Sequence, residues 1–205
     1  MLFRMRRNHT REAYIELVQR IREKIPGVAI SGDFIAGFCG ETEEEFADTL
    51  SLIETVKYDQ AYLYAYSLRE KTHAHRKMND DVPKEVKQAR LEEMIKVFKK
   101  HQLEQNMLDI GRYHLMLVDG ISKRSEYQYT GLTDTNKRIV FDKRTPVYDS
   151  WNSFQTDAVT NPNTYAKIGD YVLAKVYDAT QNTLFWDPIW ISSISDYSKT
   201  CPSHE

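Results

Sequence analysis

Cysteine is nearly missing from this chain: Cys39 and Cys201 are the two in 205 residues. Two thiols cannot build a disulfide framework, and their scarcity fits a reducing compartment or organelle matrix. Long apolar runs are also missing. None approaches the ~20 residues that a membrane span requires, so no membrane partner is expected. Net charge is only -2, which removes any global pull toward nucleic acid and leaves local basic patches to be found. No internal repeat or low-complexity segment stands out. The first ten residues, MLFRMRRNHT, are basic but lack the apolar core of a signal peptide, and no transit peptide is evident. What is present is ordinary: 41% hydrophobic and 28% charged residues, enough for one large domain or two small ones with real cores.

The stretch VAISGDFIAGFCGETEEE, residues 28–45, organises the rest. Val28, Ile30, Phe34, Ile35, Ala36 and Phe38 are too continuously apolar for a half-exposed strand, which predicts a parallel strand covered on both faces. Gly37 and Gly40 remove side chains where that strand ends, so a ligand can approach the backbone there. Thr42 and Glu45 form a capping box that starts a helix. Open α/β folds bind ligands at the carboxyl ends of such strands.

Before this stretch, Thr10 caps a helix to about Lys24, with Tyr14, Leu17, Val18, Ile21 and Ile25 on one apolar face, and Pro26-Gly27 ends it. The tripeptide Asn8-His9-Thr10 is formally a glycosylation sequon, but the cap is the reading its context favours. After residue 45 come a helix to about Val56, with Phe46, Leu50 and Ile53 inward, and an aromatic strand over 61–67. Alternation of helix and strand with short connections predicts parallel βαβ packing. Residues 73–83 read as a polar connector. Pro83 then starts a helix to about Asn106, with a stripe of Leu91, Met94, Ile95 and Phe98. Beyond Gly111 the pattern becomes short β-rich runs at 114–118, 138–141, 171–176 and 184–191. Turn signals occur at Asp119-Gly120, Asp134 to Asn136 and Gly169-Asp170. Four or five such strands predict a small antiparallel barrel. The polar segment of about 145–167 reads as an inserted surface loop.

Several ordered motifs now coincide: MRRNHTREAY, IPGVAISGDFIAGFCGETEEEF, YAYSLREKTHAHR and DDVPKEVKQARLEE, then LVDGISKRS and GLTDTNKRIVF. Together they resemble the later part of the radical S-adenosylmethionine tRNA methylthiotransferases, the MiaB family. FCGE paired with YSLREKTHA is most similar to the eukaryotic branch, named for a cyclin-dependent kinase 5 regulatory-subunit-associated protein. The resemblance implies an α/β plus all-β chain. Residues 1–108 would be the C-terminal portion of a radical domain, a partial (β/α) barrel, and 109–195 a TRAM RNA-binding β-barrel, with a tail over 196–205. It also implies an enzyme that adds a methylthio group to isopentenyladenosine beside a tRNA anticodon, in mitochondrion or cytoplasm. The family's cofactors are S-adenosylmethionine and two 4Fe-4S clusters, one generating a radical and one serving sulfur delivery. Its branch name suggests a kinase-regulatory partner by resemblance alone.

The departure from the family lies in the thiolates. A radical cluster needs a Cys-x3-Cys-x2-Cys triplet and the second cluster three more cysteines, because soft iron-sulfur centres need such ligands. Cys39 and Cys201 supply neither set, so no cluster and no catalytic residue is expected in this chain, which is expected to be a C-terminal fragment. By the resemblance, Asp33, Ile35, Gly37 and Phe38 line the adenosine end of S-adenosylmethionine, and Tyr66, Ser67 and Arg69 sit beside cofactor and substrate. Arg69 has a planar fork suited to carboxylate or phosphate. A packed βα turn and a solvated cation are the bland alternatives. Cys39 is expected to be a small apolar residue, and His73 and His75 lack partners for a metal.

Residues 112–144 hold seven Lys or Arg against four acids, whereas 145–205 hold three against seven. Lys123, Arg124, Lys137 and Arg138 are the candidate RNA contacts, with Tyr127 and Tyr129 as stacking platforms. Solvated turns would look equally basic. Gly131-Leu132-Thr133 replaces a more usual Gly-Arg-Thr and loses one cation. The competing reading is a non-catalytic RNA-binding or regulatory interaction protein.

Overall fold

The computed structural model describes residues 1–150, 162 and 164–200, with side chains through 197. They form two compact units, Met1–Gln102 and Leu103–Glu205.

In the first unit, α1 (Arg11–Lys24) begins at Thr10, whose side chain accepts from the Ala13 amide. Val18 is buried, but Leu17 and Ile25 are exposed, so the inward stripe is narrower than the spacing predicts. Then follow β1 (Ser31–Ala36), α2 (Glu43–Val56) and β2 (Gln60–Ala65). The capping box at Thr42 and Glu45 is present with both reciprocal bonds. β1 and β2 pair in parallel, with Asp33 opposite Tyr62 and Ile35 opposite Tyr64. A short helix α3 (His73–Lys77) interrupts the segment expected as a polar connector, capped by Thr72. α4 (Lys84–Met107) follows Pro83, whose carbonyl accepts the first helical bond from the Lys87 amide at 3.0 Å.

The expectation of a strand covered on both faces is overturned. Phe34 and Ala36 point toward a core of Val18, Phe46, Ile53, Val56, Tyr58, Met94 and Phe98. Ser31, Asp33 and Ile35 alternate onto a bare face, where Ile35 is 40% exposed. Tyr62 and Tyr64 join them from β2, at 46% and 52%. Alternate residues of a strand point to opposite faces, so an unbroken apolar run does not by itself show that both faces are covered.

The second unit is a closed five-stranded barrel of β3 (Tyr113–Ile121), β4 (Gln128–Thr133), β5 (Arg138–Asp142), β6 (Tyr171–Ala179) and β7 (Leu184–Ser192), in the order β3-β4-β5-β7-β6. The barrel is mixed rather than antiparallel, because β5 and β7 run parallel. A ring with an odd number of strands cannot alternate direction all the way round. Asp119-Gly120 is not a turn but lies within β3, at an irregularity between Val118 and Gly120 where the register shifts. The other two turns stand: Asn136 and Gly169 take positive φ of 61° and 99°. The barrel interior is packed by Met116, Val118, Ile139, Phe141, Val172, Val176, Leu184 and Trp186.

The segment expected as an inserted surface loop is anchored at its ends. Val147 is buried and bridges to Thr164, and Tyr148 bridges to Trp190. Its middle, 151–161 and 163, lies outside the described residues. Helix α5 (Ile194–Thr200) occupies the start of the expected tail, of which 201–205 also lie outside.

Candidate functional site

The carboxyl ends of β1 and β2 lie side by side, joined by the Tyr66 amide donating to the Ala36 carbonyl at 2.8 Å. Gly37 follows β1 with a φ of +76°, and a β-carbon there would sit 2.3 Å from Cγ of Lys87. The glycine therefore makes room for a helix side chain on that side of the turn. The Lys87 ammonium pairs with Asp80 and stands 5.2 Å from the Tyr66 ring centroid. Phe38 meets Tyr66 edge to face, with centroids 4.8 Å apart.

Beneath this turn is a buried acid. The Glu41 carboxylate accepts from the Gly37 amide at 2.6 Å and from Arg90 at 2.9 Å, and Arg90 also donates to the Glu41 carbonyl and to Glu43. Burial pushes the Glu41 carboxyl above the usual carboxylate range, against the pull of Gly37 and Arg90. Burial also pushes the Tyr66 hydroxyl up to about 12, helped by Cys39 and Asp80, so it keeps its proton at neutral pH.

Of the residues nominated from the sequence, Asp33 and Ile35 lie on the bare sheet face, and Gly37 and Phe38 lie in the buried turn. Tyr66 is half-buried beside Phe38, while Ser67 and Arg69 are exposed just past β2. Sequence reasoning missed Tyr62 and Tyr64, although AYLYAY alternates tyrosine with small or aliphatic residues and so announces one aromatic face. It also missed Glu41, Lys87 and Arg90. The last two come from a helix more than forty residues away, which no local pattern reveals.

In the second unit the nominated cations separate. Lys123 and Arg124 are exposed after β3. Near them the exposed ring of Tyr127 has Arg144 at 5.3 Å and Lys143 at 5.9 Å, and the Lys143 amide donates to the Tyr127 carbonyl. Arg144 is steadied by two side-chain bonds to Asp142, of 3.0 and 2.6 Å, which lower that carboxyl to about 2. Lys137 and Arg138 stand at the other end of β5, about 13 Å away along five residues. The Lys137 ammonium is buried against Asp109 at 2.5 Å, and Arg138 donates to Thr130 at 3.0 Å. Tyr129 is half-buried, 5.8 Å from Phe141; Tyr127 remains the exposed platform of the two.

Cys39 is buried among Phe38, Ala74, Met5, Tyr66 and Met78, a surrounding suited to a small apolar residue and not to a cluster ligand. Cys201 lies outside the described residues. Among the described residues, no group of three His, Cys, Asp or Glu side chains is arranged to hold a metal ion. Cys39, the one thiol among the described residues, does not supply the ligand set of an iron-sulfur cluster. No helix among the described residues is long and apolar enough to cross a membrane.

No family model matches the chain. Individual relatives do. The human mitochondrial tRNA methylthiotransferase CDK5RAP1 is 43% identical over 199 residues, 96% of this chain and 31% of its own length. A CDK5RAP1-like protein of Oryza sativa is 46% identical over 200 residues, covering 97% and 32%. Over that span the chain is a homologue of the tRNA methylthiotransferases. The tRNA-2-methylthio-N(6)-dimethylallyladenosine synthase of Chloroherpeton thalassium is 42% identical over 184 residues, 90% of this chain and 36% of its own. The chain thus spans about a third of the length of these methylthiotransferases.

Replacing Arg90 with alanine leaves Glu41 buried without its counter-charge. The expected loss at neutral pH is about 3–5 kcal/mol, measured by denaturant unfolding. Because the Glu41 carboxyl is already raised, the loss shrinks as pH falls and the group protonates. A deficit that is the same at pH 4 and pH 7 would contradict the role given to this pair.

Proposed function

We propose that this chain is the C-terminal part of a tRNA-2-methylthio-N6-dimethylallyladenosine synthase. In this reading residues 1–108 are the last portion of a radical S-adenosylmethionine domain and 109–195 are a TRAM RNA-binding barrel. The observation that carries it is the bare face of the β1–β2 sheet. A parallel sheet is normally covered on both sides, yet Asp33, Ile35, Tyr62 and Tyr64 stand uncovered on this one. Apolar and aromatic side chains suit an adenine, and the Asp33 carboxylate suits ribose hydroxyls. S-adenosylmethionine, when bound, supplies the radical chemistry. This chain's part is to line its nucleoside end, with Phe38 and Tyr66 closing the strand ends and Arg69 reaching a carboxylate or phosphate. The cysteines that would hold an iron-sulfur cluster are not in this sequence. The human relative is named as mitochondrial, and we adopt that compartment over the cytoplasm.

The tRNA face in this reading is the Lys123–Arg124 end of the barrel, extended by Tyr127, Lys143 and Arg144. An exposed ring framed by cations offers both an anion contact and a stacking surface. Arg138 is a secondary contact at the far end. Lys137 spends its charge on Asp109.

In a longer protein containing this chain, Ile35→Asp and Tyr64→Ala should each weaken binding of S-adenosylhomocysteine by ten-fold or more by calorimetry, with Leu17→Asp on α1 as the silent control. Equal affinities across the set would remove the assignment. For RNA, alanine at Lys123 and Arg124 together should weaken binding and lower the slope of log affinity against log salt by about 0.7 per lost phosphate contact. A slope that does not move would show that this end of the barrel does not meet the backbone.

A further inference from the structure

His114, near the start of β3, is buried between two carboxylates from different parts of the chain. Its Nε2 lies 3.5 Å from Asp109 Oδ1 and its Nδ1 lies 3.7 Å from Asp134 Oδ1. Asp109 precedes β3, and Asp134 opens the turn between β4 and β5. These are ion-pair separations and not short hydrogen bonds. A neutral imidazole carries one N–H and turns a lone pair toward the other carboxylate; an imidazolium presents an N–H to each. The two protonation states therefore differ in how many carboxylates the ring can hold.

The two acids are not equally dependent on the ring. Asp109 has Lys137 at 2.5 Å on its other oxygen and Arg112 at 3.6 Å. Asp134 is half exposed, and its Oδ1 also accepts from the Thr135 amide at 3.0 Å. From β6, which packs along β3, Ala174 stands opposite His114, and Lys175 is turned over the Tyr113 ring at 5.7 Å. The Lys137 ammonium takes the place on Asp109 that a cation would need, which makes this a proton site and not a metal site.

We propose that His114 is a proton-operated latch that, as imidazolium, ties the β4–β5 turn through Asp134 to the Asp109 end of β3 and, on losing its proton, leaves the turn held there by the Lys137–Asp109 pair alone. Burial opposes the charge on His114, but Asp109 and Asp134 outweigh it and raise the group above the usual histidine value. His114 and Lys137 in turn hold the Asp109 carboxyl below the usual range, against its own burial. For a histidine raised on folding, the added stability is fully present below about pH 6.5 and is lost as pH rises through the folded midpoint. The turn thus has both ties in mildly acidic solution and only the Lys137 tie on the alkaline side. The latch does not rest on the RNA reading, since none of its contacts involves the Lys123 end.

The test is an NMR titration of the His114 ring in the 205-residue chain, with amide exchange followed at Asn136 and Lys137, whose N–H groups bond to Thr133. The expected result is a midpoint above 6.5, with protection of both amides falling across it once intrinsic exchange is divided out. Asp134→Asn, at a half-exposed position, should lower the midpoint and flatten the pH dependence of the turn; His114→Gln should remove that dependence. A midpoint at or below 6.5 would overturn the latch. So would protection that does not change across the midpoint, or an Asp134→Asn protein that behaves as the parent.

Discussion

The pleat of β1 sorts its side chains into two environments, and the rest of the first unit follows from that division. Phe34 and Ala36 go to a helix-covered core, and Asp33 and Ile35 go to a face that nothing among the described residues of this unit covers. β2 repeats the division in register, so Ile35 and Tyr64 are paired on the bare side. Leaving several large apolar side chains uncovered forgoes about 25 cal/mol for each Å² that burial would remove from water. A sheet can carry that loss when a ligand or further polypeptide covers the face. The buried Glu41–Arg90 pair then fixes where β1 stops, and Lys87 occupies the space beside Gly37. The strand ends are closely packed while the face beside them is bare, which is how a lined site is built on a scaffold.

The barrel meets a different constraint. Five strands must include a parallel neighbour pair, here β5 and β7, and reaching it takes the long connection whose two ends are bound down at Val147–Tyr148 and at Thr164. The cations follow this geometry. Those at the Tyr127 end of β5 face solvent, while Lys137 at the other end is spent inside the Asp109–His114 cluster. Two Lys-Arg pairs that look alike in the sequence therefore sit in different surroundings.

What the sequence reveals is mostly local. The Thr10 cap, the Thr42–Glu45 box and the Asp134 to Asn136 turn involve residues within a few positions of one another, and all are present; of the α4 stripe, Leu91, Met94 and Phe98 reach the core, with Val97 there and not Ile95. Asp119-Gly120 is misread because the same dipeptide serves a turn or a strand irregularity, and pairing partners decide between them. β4 is overlooked because QYTGLT shows little alternation. The outward position of Ile35 and the inward position of Lys137 depend on partners far along the chain. The aromatic face of β2 is the exception: Tyr62 and Tyr64 alternate in plain view.

The account stands most directly on whether the bare face of the sheet is completed by something else. Hydroxyl-radical footprinting of Ile35, Tyr62 and Tyr64 should be compared between this 205-residue chain and a longer protein containing it. Strong labelling of all three is expected in the short chain and protection in the longer one, deepening when S-adenosylhomocysteine is added. Equal labelling in both proteins, unmoved by that ligand, would contradict it.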